Sequence, residues 1–315
     1  MSREVRVPRL RKPALPGAPA TVRFVLRTPS TPGGVEPPEV VSNVGIDYPT
    51  DWARRGPARL TRLALHEVLM EPLVKAVARP TIDGMHRLAA IDEDQPVIFA
   101  ANHHSHVDTP LLLRTLPRPW REQIFVAAAA DYFFPNRIKA AASALVLNAI
   151  PIERTRVSRR SALQAADLID AGWSMLIYPE GGRSPDGWGQ EFRGGAAYLS
   201  MRCGAPIVPI HVGGTDKILP KGRKLPTPRR TRVTFGDPLW PVEGEDARHV
   251  AARLERSVAS LADEVTSDWY SARLRFHAET TPPLTGPDGP SWRRAWARTA
   301  RDRPAPDRTP RWPPR

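Results

Sequence analysis

The sequence predicts a single α/β domain, with a central mostly parallel or mixed sheet flanked by helices, between basic, proline-rich ends. Strand-like apolar runs alternate with amphipathic helical runs from about residue 80 to residue 265, and such alternation is typical of layered α/β domains. An apolar fraction of 41% is enough to build a core. The 36 prolines of the 315 residues cluster at the two ends, outside the alternating stretch.

The first element is a helix predicted from Arg62, because apolar residues recur there at every fourth position, although Pro72 interrupts it. We expect this stripe to pack on the core; the alternative is a helix that lies on a membrane surface. The stripe consists of Leu65, Leu69, Leu73 and Val77. Strands are then predicted at 80–84, 96–101, 124–130, 148–154, 174–178, 207–212 and 232–235. Helices are predicted between and after them at 111–116, 137–147, 161–171, 194–201 and 247–265.

The ends differ in composition from the middle of the chain. Residues 1–60 mix Pro, Arg, Gly and Thr without periodicity and predict a disordered basic arm. Residues 61–266 form the predicted folded domain, and the Arg-, Pro- and Trp-containing tail 267–315 is again predicted to be disordered. We expect no secretory leader and no membrane span, because no apolar run of the necessary length occurs. The single cysteine, Cys203, excludes an internal disulfide and fits a reducing compartment.

The formal net charge of +13 comes mostly from arginine. This balance favours polyanionic partners, such as nucleic acid, anionic lipid headgroups or a phosphorylated substrate. The alternative is a compositional bias that only keeps the surface solvated. We expect no nucleic-acid partner, because no known nucleic-acid module occurs and no aromatic residues alternate with basic ones in the predicted domain.

Candidate chemistry lies after the strand at 96–101, where three of the eight histidines fall within four positions. His104, His106 and Asp108 alternate along an extended segment, and imidazole and carboxylate groups are suitable zinc ligands. This spacing matches the opening of the metal signature H-x-H-x-D-H, as found in metal-dependent hydrolases. Thr109 stands where that signature needs a further histidine, so a metal-dependent hydrolase is the alternative of a different class.

The second interpretation of the cluster is acid–base chemistry by His103 and Asp108. On one continuous helix their spacing would set them about 140° apart. They can meet only if His103 lies on the loop and Asp108 in the first turn of the next helix. Ser105 is a plausible N-cap for that helix, and with Asp108 it forms a loose capping box. His103 would then act as a general base toward a hydroxyl, with Asp108 fixing its tautomer.

Further blocks follow in a fixed order. They are Asn148-Ala-Ile-Pro-Ile-Glu-Arg154, Tyr178-Pro-Glu-Gly-Gly-Arg-Ser184 and Ile207-Val-Pro-Ile210. Together with Asn102-His103-x-Ser105-x-x-Asp108, they resemble the PlsC-type glycerolipid acyltransferases, the family of the 1-acyl-sn-glycerol-3-phosphate acyltransferases. The resemblance covers about residues 80–240. Asn148 replaces the family's usual glycine, and Tyr178 replaces its usual phenylalanine.

The resemblance implies an O-acyltransferase in which His103 and Asp108 are catalytic. It assigns acceptor binding near a phosphate to Arg154, Glu180, Gly181, Arg183 and Ser184, with backbone N–H groups around Gly181 as further donors. It also implies that residues 61–266 are the acyltransferase domain, that the acyl thioester comes from acyl-CoA or acyl carrier protein, and that no cofactor or metal takes part.

The implied acceptor is a lysophospholipid, most simply 1-acyl-sn-glycerol-3-phosphate, which would give phosphatidic acid for phospholipid biosynthesis. Another lysolipid or glycerol-3-phosphate itself is the alternative within the family. Because such acceptors are lipids, we expect a cytoplasmic protein that binds the anionic surface of the cytoplasmic membrane peripherally, through the stripe 65–77 or the basic ends.

Overall fold

The central feature of the computed structural model, which describes residues 45–153, 159–219 and 225–301, is a seven-stranded sheet. Its strands are β1 Pro80–Asp83, β2 Ile98–Ala101, β3 Ile124–Ala129, β4 Ala149–Ile152, β5 Ser174–Ile177, β6 Ile207–Gly213 and β7 Thr231–Phe235. Their order is β1-β7-β6-β2-β5-β3-β4, and every pair is parallel except β6 with β7. The predicted mixed, mostly parallel α/β sheet is therefore confirmed.

Helices cover both faces of the sheet. They are α1 Gly56–Leu65, α2 Glu71–Ala78, α3 Asp108–Thr115, α4 Arg118–Glu122, α5 Ala130–Phe133, α6 Arg137–Leu147, α7 Arg159–Asp170, α8 Gly195–Cys203, α9 Ala247–Thr266, α10 Trp269–His277 and α11 Ser291–Arg301. Short 3-10 turns lie at Asp51–Arg54, Met85–Ala90 and Thr215–Lys217. Within the described parts of the chain, no helix is both long enough and apolar enough to cross a bilayer.

The core has a layer on each face of β2, all four residues of which are buried. Phe99 and Ala101 point to one side, where they pack with α2, α3 and α4. Ile98 and Ala100 point to the other side, where they pack with α7, α8 and α9. Successive residues of a strand face opposite ways, so a central parallel strand covered on both faces is apolar throughout. This explains why β2 can be predicted from the sequence as a continuous apolar run.

The predicted packing of the apolar stripe in the first helix is only partly correct, because Val77 packs against the core but Leu69 and Leu73 do not. Leu69 and Leu73 are 61% and 52% exposed, whereas Val74 and Ala78 enter the core. A π-helical turn at His66–Met70 separates α1 from α2, just before Pro72. A proline has no N–H for the regular helical bond, and the wider turn rotates the residues that follow. The period of four read from the sequence therefore does not continue through this point.

The predicted domain boundaries are also too narrow. Helix α1 begins at Gly56, and residues of the predicted disordered tail form α10 and α11. Asp268 caps α10 by accepting the N–H of Ser271 at 2.8 Å, and Ala272 of this helix is buried. These helices are not evident in the sequence, because the tail is rich in charged and aromatic residues. Contacts with the rest of the domain hold them in place. Residues 1–44 and 302–315 of the two predicted disordered ends lie outside the described residues.

Candidate active site

The sheet brings the sequence blocks together at one edge. Strand β2 lies between β5 and β6 and runs parallel to both, so the three carboxyl ends meet at the same edge. The chain leaves β2 into Asn102–Asp108 and leaves β5 into Tyr178–Ser184. Two blocks that are far apart in sequence become neighbours for this reason.

Asn102 fixes the beginning of the histidine loop. Its side chain donates from Nδ2 to the carbonyl oxygen of Val212 at 2.9 Å and accepts the N–H of Val212 at Oδ1, at 2.7 Å. The residue is 1% exposed, so both bonds form away from water. The amide thus continues the pairing of β2 with β6 beyond the last strand residue, and it fixes the direction in which the next residue leaves the sheet.

His103 and Asp108 meet as predicted. The imidazole Nδ1 lies 2.8 Å from Asp108 Oδ2, and the imidazole side chain is 14% exposed. An ionised carboxylate can only accept hydrogen bonds, so the proton of a neutral His103 sits on Nδ1. The opposite ring nitrogen, Nε2, then carries the lone pair and can take a proton from a hydroxyl.

Asp108 is fully buried and organises the loop around one oxygen. Its Oδ2 accepts the N–H groups of His104 and Ser105, at 2.7 and 2.8 Å, in addition to His103. Burial acts to raise the pKa of Asp108, but the hydrogen bond and charge of His103, the charge of His104 and the Ser105 N–H outweigh it and hold the pKa below its usual value. The carboxylate is therefore the stable form, as an orienting partner of His103 requires.

The predicted capping role of Ser105 is only half formed. Asp108 reaches back to the N–H of Ser105, as in a capping box. Helix α3 begins at Asp108, however, and its N-cap is Val107. The hydroxyl of Ser105 instead donates to the carbonyl oxygen of Leu219 at 3.3 Å, so this residue joins the histidine loop to the segment after β6.

Tyr178 forms the wall against which His103 rests. The two rings are stacked, with centroids 4.0 Å apart and planes 17° from parallel. The Tyr178 hydroxyl lies 2.9 Å from the Thr109 hydroxyl. Burial, followed by the negative charge of Asp108, raises the pKa of Tyr178 well above its usual value, so the phenol stays neutral. The sequence marked Tyr178 only as a substitute for phenylalanine, but its hydroxyl has a specific partner here.

Glu180 supports His103 from inside the protein. It is 2% exposed, and its two carboxylate oxygens accept the N–H groups of His103 at 2.8 Å and Gln190 at 3.0 Å. The sequence predicts Glu180 as a ligand of the acceptor, whereas the structure gives its carboxylate to the main chain of the catalytic loop. Burial raises the pKa of Glu180 to about 8, with further contributions from the charges of Asp108 and Glu255 and opposition from the two N–H donors.

The remaining residues of this block form a tight turn. Gly181 has φ of +72°, and a Cβ there would lie 3.0 Å from the Arg193 side chain. Its N–H donates to Tyr178 O at 3.0 Å, so it closes the turn instead of acting as the donor expected for a phosphate. Ser184 is buried, donates its N–H to His103 O at 2.9 Å, and accepts the Gly187 N–H at Oγ, at 2.6 Å.

Arg183 is the half-buried cation of the turn. Burial lowers the pKa of the His106 imidazole to about 4, and the positive charge of the nearby Arg183 is the second cause. Arg154, the other predicted cation, lies outside the described residues. The strand that leads to it begins after Asn148, whose φ of +50° lies in the left-handed region that glycine or asparagine tolerates. Asn148 therefore adopts a backbone conformation that also suits glycine, the residue that it replaces.

The arrangement does not favour the metal-dependent hydrolase. Asp108 Oδ2 is committed to His103 and two main-chain N–H groups. The His106 ring stacks on Tyr132 at a centroid distance of 5.0 Å, and its Nε2 lies 2.9 Å from the Tyr132 hydroxyl. Among residues 45–153, 159–219 and 225–301, no group of three or more His, Cys, Asp or Glu residues is arranged to hold a metal ion.

The sequence predicts no role for Asn102, for Gln190 or for the hydroxyl of Tyr178. The position of Asn102 directly after a buried strand is a signal for a polar side chain that pairs with the main chain of a neighbour. No local signal identifies Gln190, because its bond with Glu180 depends on how the chain folds back.

Comparisons with known proteins agree with this geometry. A family model described as Acyltransferase matches residues 55–213, just over half of the chain. A 1-acyl-sn-glycerol-3-phosphate acyltransferase from Chlamydomonas reinhardtii is 31% identical over 172 residues, which are 53% of this chain and 48% of that protein. A chloroplastic enzyme of the same name from Brassica napus is 31% identical over 145 residues, which are 45% of this chain and 39% of that protein. This chain therefore spans about half the length, or less, of these relatives.

Among solved structures, the crystal structure of the 1-acyl-sn-glycerophosphate acyltransferase PlsC from Thermotoga maritima is similar, with a TM-score of 0.49 and 22% sequence identity. The similarity covers 65% of this chain and 84% of that one.

Proposed function

The chain belongs to the acyltransferase family, and from this premise we propose that it transfers a fatty acyl group from acyl-CoA or acyl carrier protein to the free hydroxyl of a lysophospholipid. The proposed acceptor is 1-acyl-sn-glycerol-3-phosphate and the product is phosphatidic acid. The names of the relatives support this acceptor. The observation that carries the proposal is the 2.8 Å contact between His103 Nδ1 and Asp108 Oδ2, which leaves the lone pair of the neutral base on Nε2.

The proposed reaction proceeds without a covalent enzyme intermediate. His103 Nε2 takes the proton of the acceptor hydroxyl, and the oxygen attacks the carbonyl carbon of the thioester. The carbon–oxygen bond forms, the carbon–sulfur bond breaks, and the leaving thiolate receives the proton that His103 holds. Asp108 stabilises the imidazolium in between. The acyl thioester is the co-substrate, and the proposal includes no cofactor.

Arginine suits the acceptor phosphate because its planar group offers several N–H donors in a fixed arrangement. We assign this role to Arg183, which lies on the turn after the base-supporting Glu180, and to Arg154. Within the described part of the chain, the Arg183 guanidinium has no hydrogen bond or ion pair to a protein group, so its donors remain for a ligand.

The lipid acceptor implies work at a membrane surface, and we place the enzyme on the cytoplasmic face of the cytoplasmic membrane. The exposed apolar residues of α1, the π turn and α2 support this location. They are Leu60 at 69%, Val68 at 78%, Leu69 at 61% and Leu73 at 52% exposure. Large apolar side chains that are exposed close together along one segment are a common sign of membrane or protein contact.

The test is a thiol-release assay in which acyl-CoA and acyl carrier protein donors are offered with 1-acyl-sn-glycerol-3-phosphate, other lysophospholipids and glycerol-3-phosphate. His103→Ala is expected to lower turnover by at least about a hundredfold, the contribution of a general base, without unfolding the protein. His249→Ala, at an exposed histidine of α9, is the matched control. Retained turnover in His103→Ala would contradict the assignment.

Arg183→Ala and Arg154→Ala test the phosphate role. Each is expected to raise KM for the phosphorylated acceptor more than KM for the thioester. Arg159→Ala, at an exposed neighbouring arginine, should change neither. An effect confined to the thioester donor would contradict the assignment of these two residues.

A further inference from the structure

The C-terminal strap, residues 284–298, lies against the loop that follows Ser184. Leu284 is buried and its carbonyl oxygen accepts the N–H of Gly189 at 2.9 Å. The Trp188 ring covers Gly286 so closely that a Cβ there would lie 2.3 Å from the ring. These contacts dock the strap, which lies outside the segment that the family model matches, on residues 184–190, which lie inside that segment.

One face of α11, the helix of the strap, is bound to the same loop. The Trp188 indole donates to Arg294 O at 3.0 Å, and Arg294 Nε lies 2.6 Å from Asp186 Oδ2. Arg298 donates to Asp186 O at 2.9 Å and forms an ion pair with Asp216. Arg294 and Arg298 are four residues apart and so lie on one side of the helix. We call this side the inner face of α11.

The loop under the inner face is connected directly to the catalytic residues. At its start, Ser184 donates to His103 O at 2.9 Å, and at its end Gln190 donates to Glu180 at 3.0 Å. Burial lowers the pKa of His104, and the charges of Asp216 and Arg298 also act on it. Arg298 of the strap therefore has an electrostatic effect on the histidine loop. The position of α11 is thus linked to the position of His103.

The outer face of α11 carries Trp292 and Trp296, which are 71% and 69% exposed. They are also four residues apart, and each precedes an inner-face arginine by two residues, which is about 200° around the helix. The indoles therefore point away from the loop. Tryptophan prefers the headgroup level of a bilayer, where its apolar ring and its N–H are both accommodated.

The charge of α11 specifies the kind of surface. Residues 291–301 contain four arginines and no acidic residue. Two of the four form the inner face, and Arg293 is exposed beside Trp292. A helix whose outer face carries two exposed indoles beside an exposed arginine fits an anionic lipid surface better than an apolar groove of a protein.

We propose that α11 is an interfacial anchor whose Trp292–Trp296 face binds an anionic bilayer, and whose inner face thereby orients the active-site loop toward the membrane. The inference rests on the proposed function in one respect, since a lipid acceptor gives the orientation its purpose. The bilayer attachment itself is measured without turnover.

The first experiment measures binding of the full chain to phosphatidylcholine vesicles with and without phosphatidylglycerol. The double variant Trp292→Ala/Trp296→Ala is expected to bind the anionic vesicles at least about tenfold more weakly, because two interfacial side chains are removed. Trp269→Ala, at a tryptophan of α10 that is 55% exposed, is the matched control and should bind like the unmodified chain. Equal binding by the double variant, or an equal loss in Trp269→Ala, would overturn the proposal.

The second experiment compares turnover of a vesicle-borne acceptor with turnover of a short-chain acceptor dispersed in water. The ratio of the two is expected to fall at least about tenfold in the double variant, in proportion to its lost binding. Arg294→Gln loosens the inner face and should lower the ratio while vesicle binding is retained. An unchanged ratio in Arg294→Gln would overturn the orienting role of the helix.

The two hypotheses fail separately. If the unmodified chain turns over no acceptor but binds anionic vesicles through Trp292 and Trp296, the proposed function is wrong and the anchor stands. If every acceptor is turned over and the double variant binds vesicles normally, the function stands and the anchor is wrong. Thermal unfolding of each variant verifies that it folds.

Discussion

The phenol ring of Tyr178 lies parallel to the imidazole of His103, with 4.0 Å between the ring centroids. The contact connects the two sequence blocks, because Tyr178 immediately follows β5 and His103 follows β2. The ring limits rotation of the imidazole on one side, while Asp108 fixes it at Nδ1. The orientation of the base thus has two independent supports.

Tyr178→Phe tests the hydroxyl separately from the ring. It is expected to lower the free energy of unfolding by about 1 kcal/mol, because the hydrogen bond with Thr109 is lost, and to leave turnover largely unchanged, because the stacked ring remains. Tyr178→Ala removes the ring and should cost about 3–5 kcal/mol together with a marked loss of kcat. Chemical denaturation and thiol release measure the two effects. A Tyr178→Ala variant with normal kcat would contradict the positioning role.

Asp108→Asn is expected to lower kcat by about ten-thousandfold, the effect of losing the orienting carboxylate of a histidine. The pKa of Asp108 is held below its usual value of 3.8 in the folded protein, so the folded state binds fewer protons than the unfolded one. The stabilisation is therefore present above that value and is lost as the pH falls below it. Unfolding measured from neutral to acid pH should show this loss in the unmodified chain and less of it in Asp108→Asn.

The control for this prediction is Asp268→Asn. Asp268 is the exposed N-cap of α10, and the N–H and hydroxyl of Ser271 lower its pKa as well. This variant should also lose less stability at acid pH than the unmodified chain does, but it should keep its turnover. If Asp268→Asn lowers kcat as much as Asp108→Asn does, the catalytic assignment of Asp108 is contradicted.

For Glu180 we predict the opposite dependence of the free energy of unfolding on pH. Burial raises its pKa from 4.5 to about 8, so between these values the folded state binds more protons than the unfolded one. The free energy of unfolding should then fall as the pH rises through this window, with a slope of up to about 1.4 kcal/mol per pH unit from this group. In Glu180→Gln the dependence should be flatter. An identical pH profile in both proteins would show that Glu180 does not titrate there.

Glu180→Gln should also lower turnover at every pH. The carboxylate accepts two main-chain N–H groups, one at each oxygen. A glutamine side chain offers only one accepting atom, so the N–H of either His103 or Gln190 loses its partner, at a cost of about 1–3 kcal/mol. The measurement is kcat for the variant beside its unfolding curve, and normal values of both would contradict the supporting role.

Asn148 has a backbone conformation that suits glycine and also a side chain that forms hydrogen bonds, which a glycine would lack. Its left-handed backbone would suit glycine, but its side chain donates to Ile124 O at 2.8 Å and accepts from Arg54 at 3.4 Å. Asn148→Gly is therefore expected to destabilise by about 1 kcal/mol through the lost hydrogen bonds. Asn148→Ala should destabilise more, because alanine also strains at positive φ. Denaturation that ranks alanine above glycine in stability would contradict this account.

The fold was largely predictable because its central strands are buried on both faces. Strands such as β2 and β5 appear as continuous apolar runs, and their observed ends lie within two residues of the predicted ones. The phase of α1 and α2 was not predictable, since a π turn shifts it. The tail helices were missed because charged and aromatic residues make up much of both. In addition, α11 is held in place by distant residues such as Asp186.

The active site, like the fold, was predictable only in part. The pairing of His103 with Asp108 follows from local spacing and from where a helix begins, so the sequence contained it. The bond of Glu180 to His103 depends on β5 lying next to β2. Strand order is decided by the packing of the whole domain, and no local pattern specifies it.

The two hydrogen bonds between Asn102 and Val212 set a limit on how this protein can change. One end of the histidine loop is attached to β6 by these bonds, and the other end starts α3. The number of residues between the two attachments is therefore constrained, because an insertion or deletion there would move the imidazole away from both Asp108 and Tyr178. Variation among related enzymes should instead accumulate in the segments attached at one end only, where length can change without moving the base.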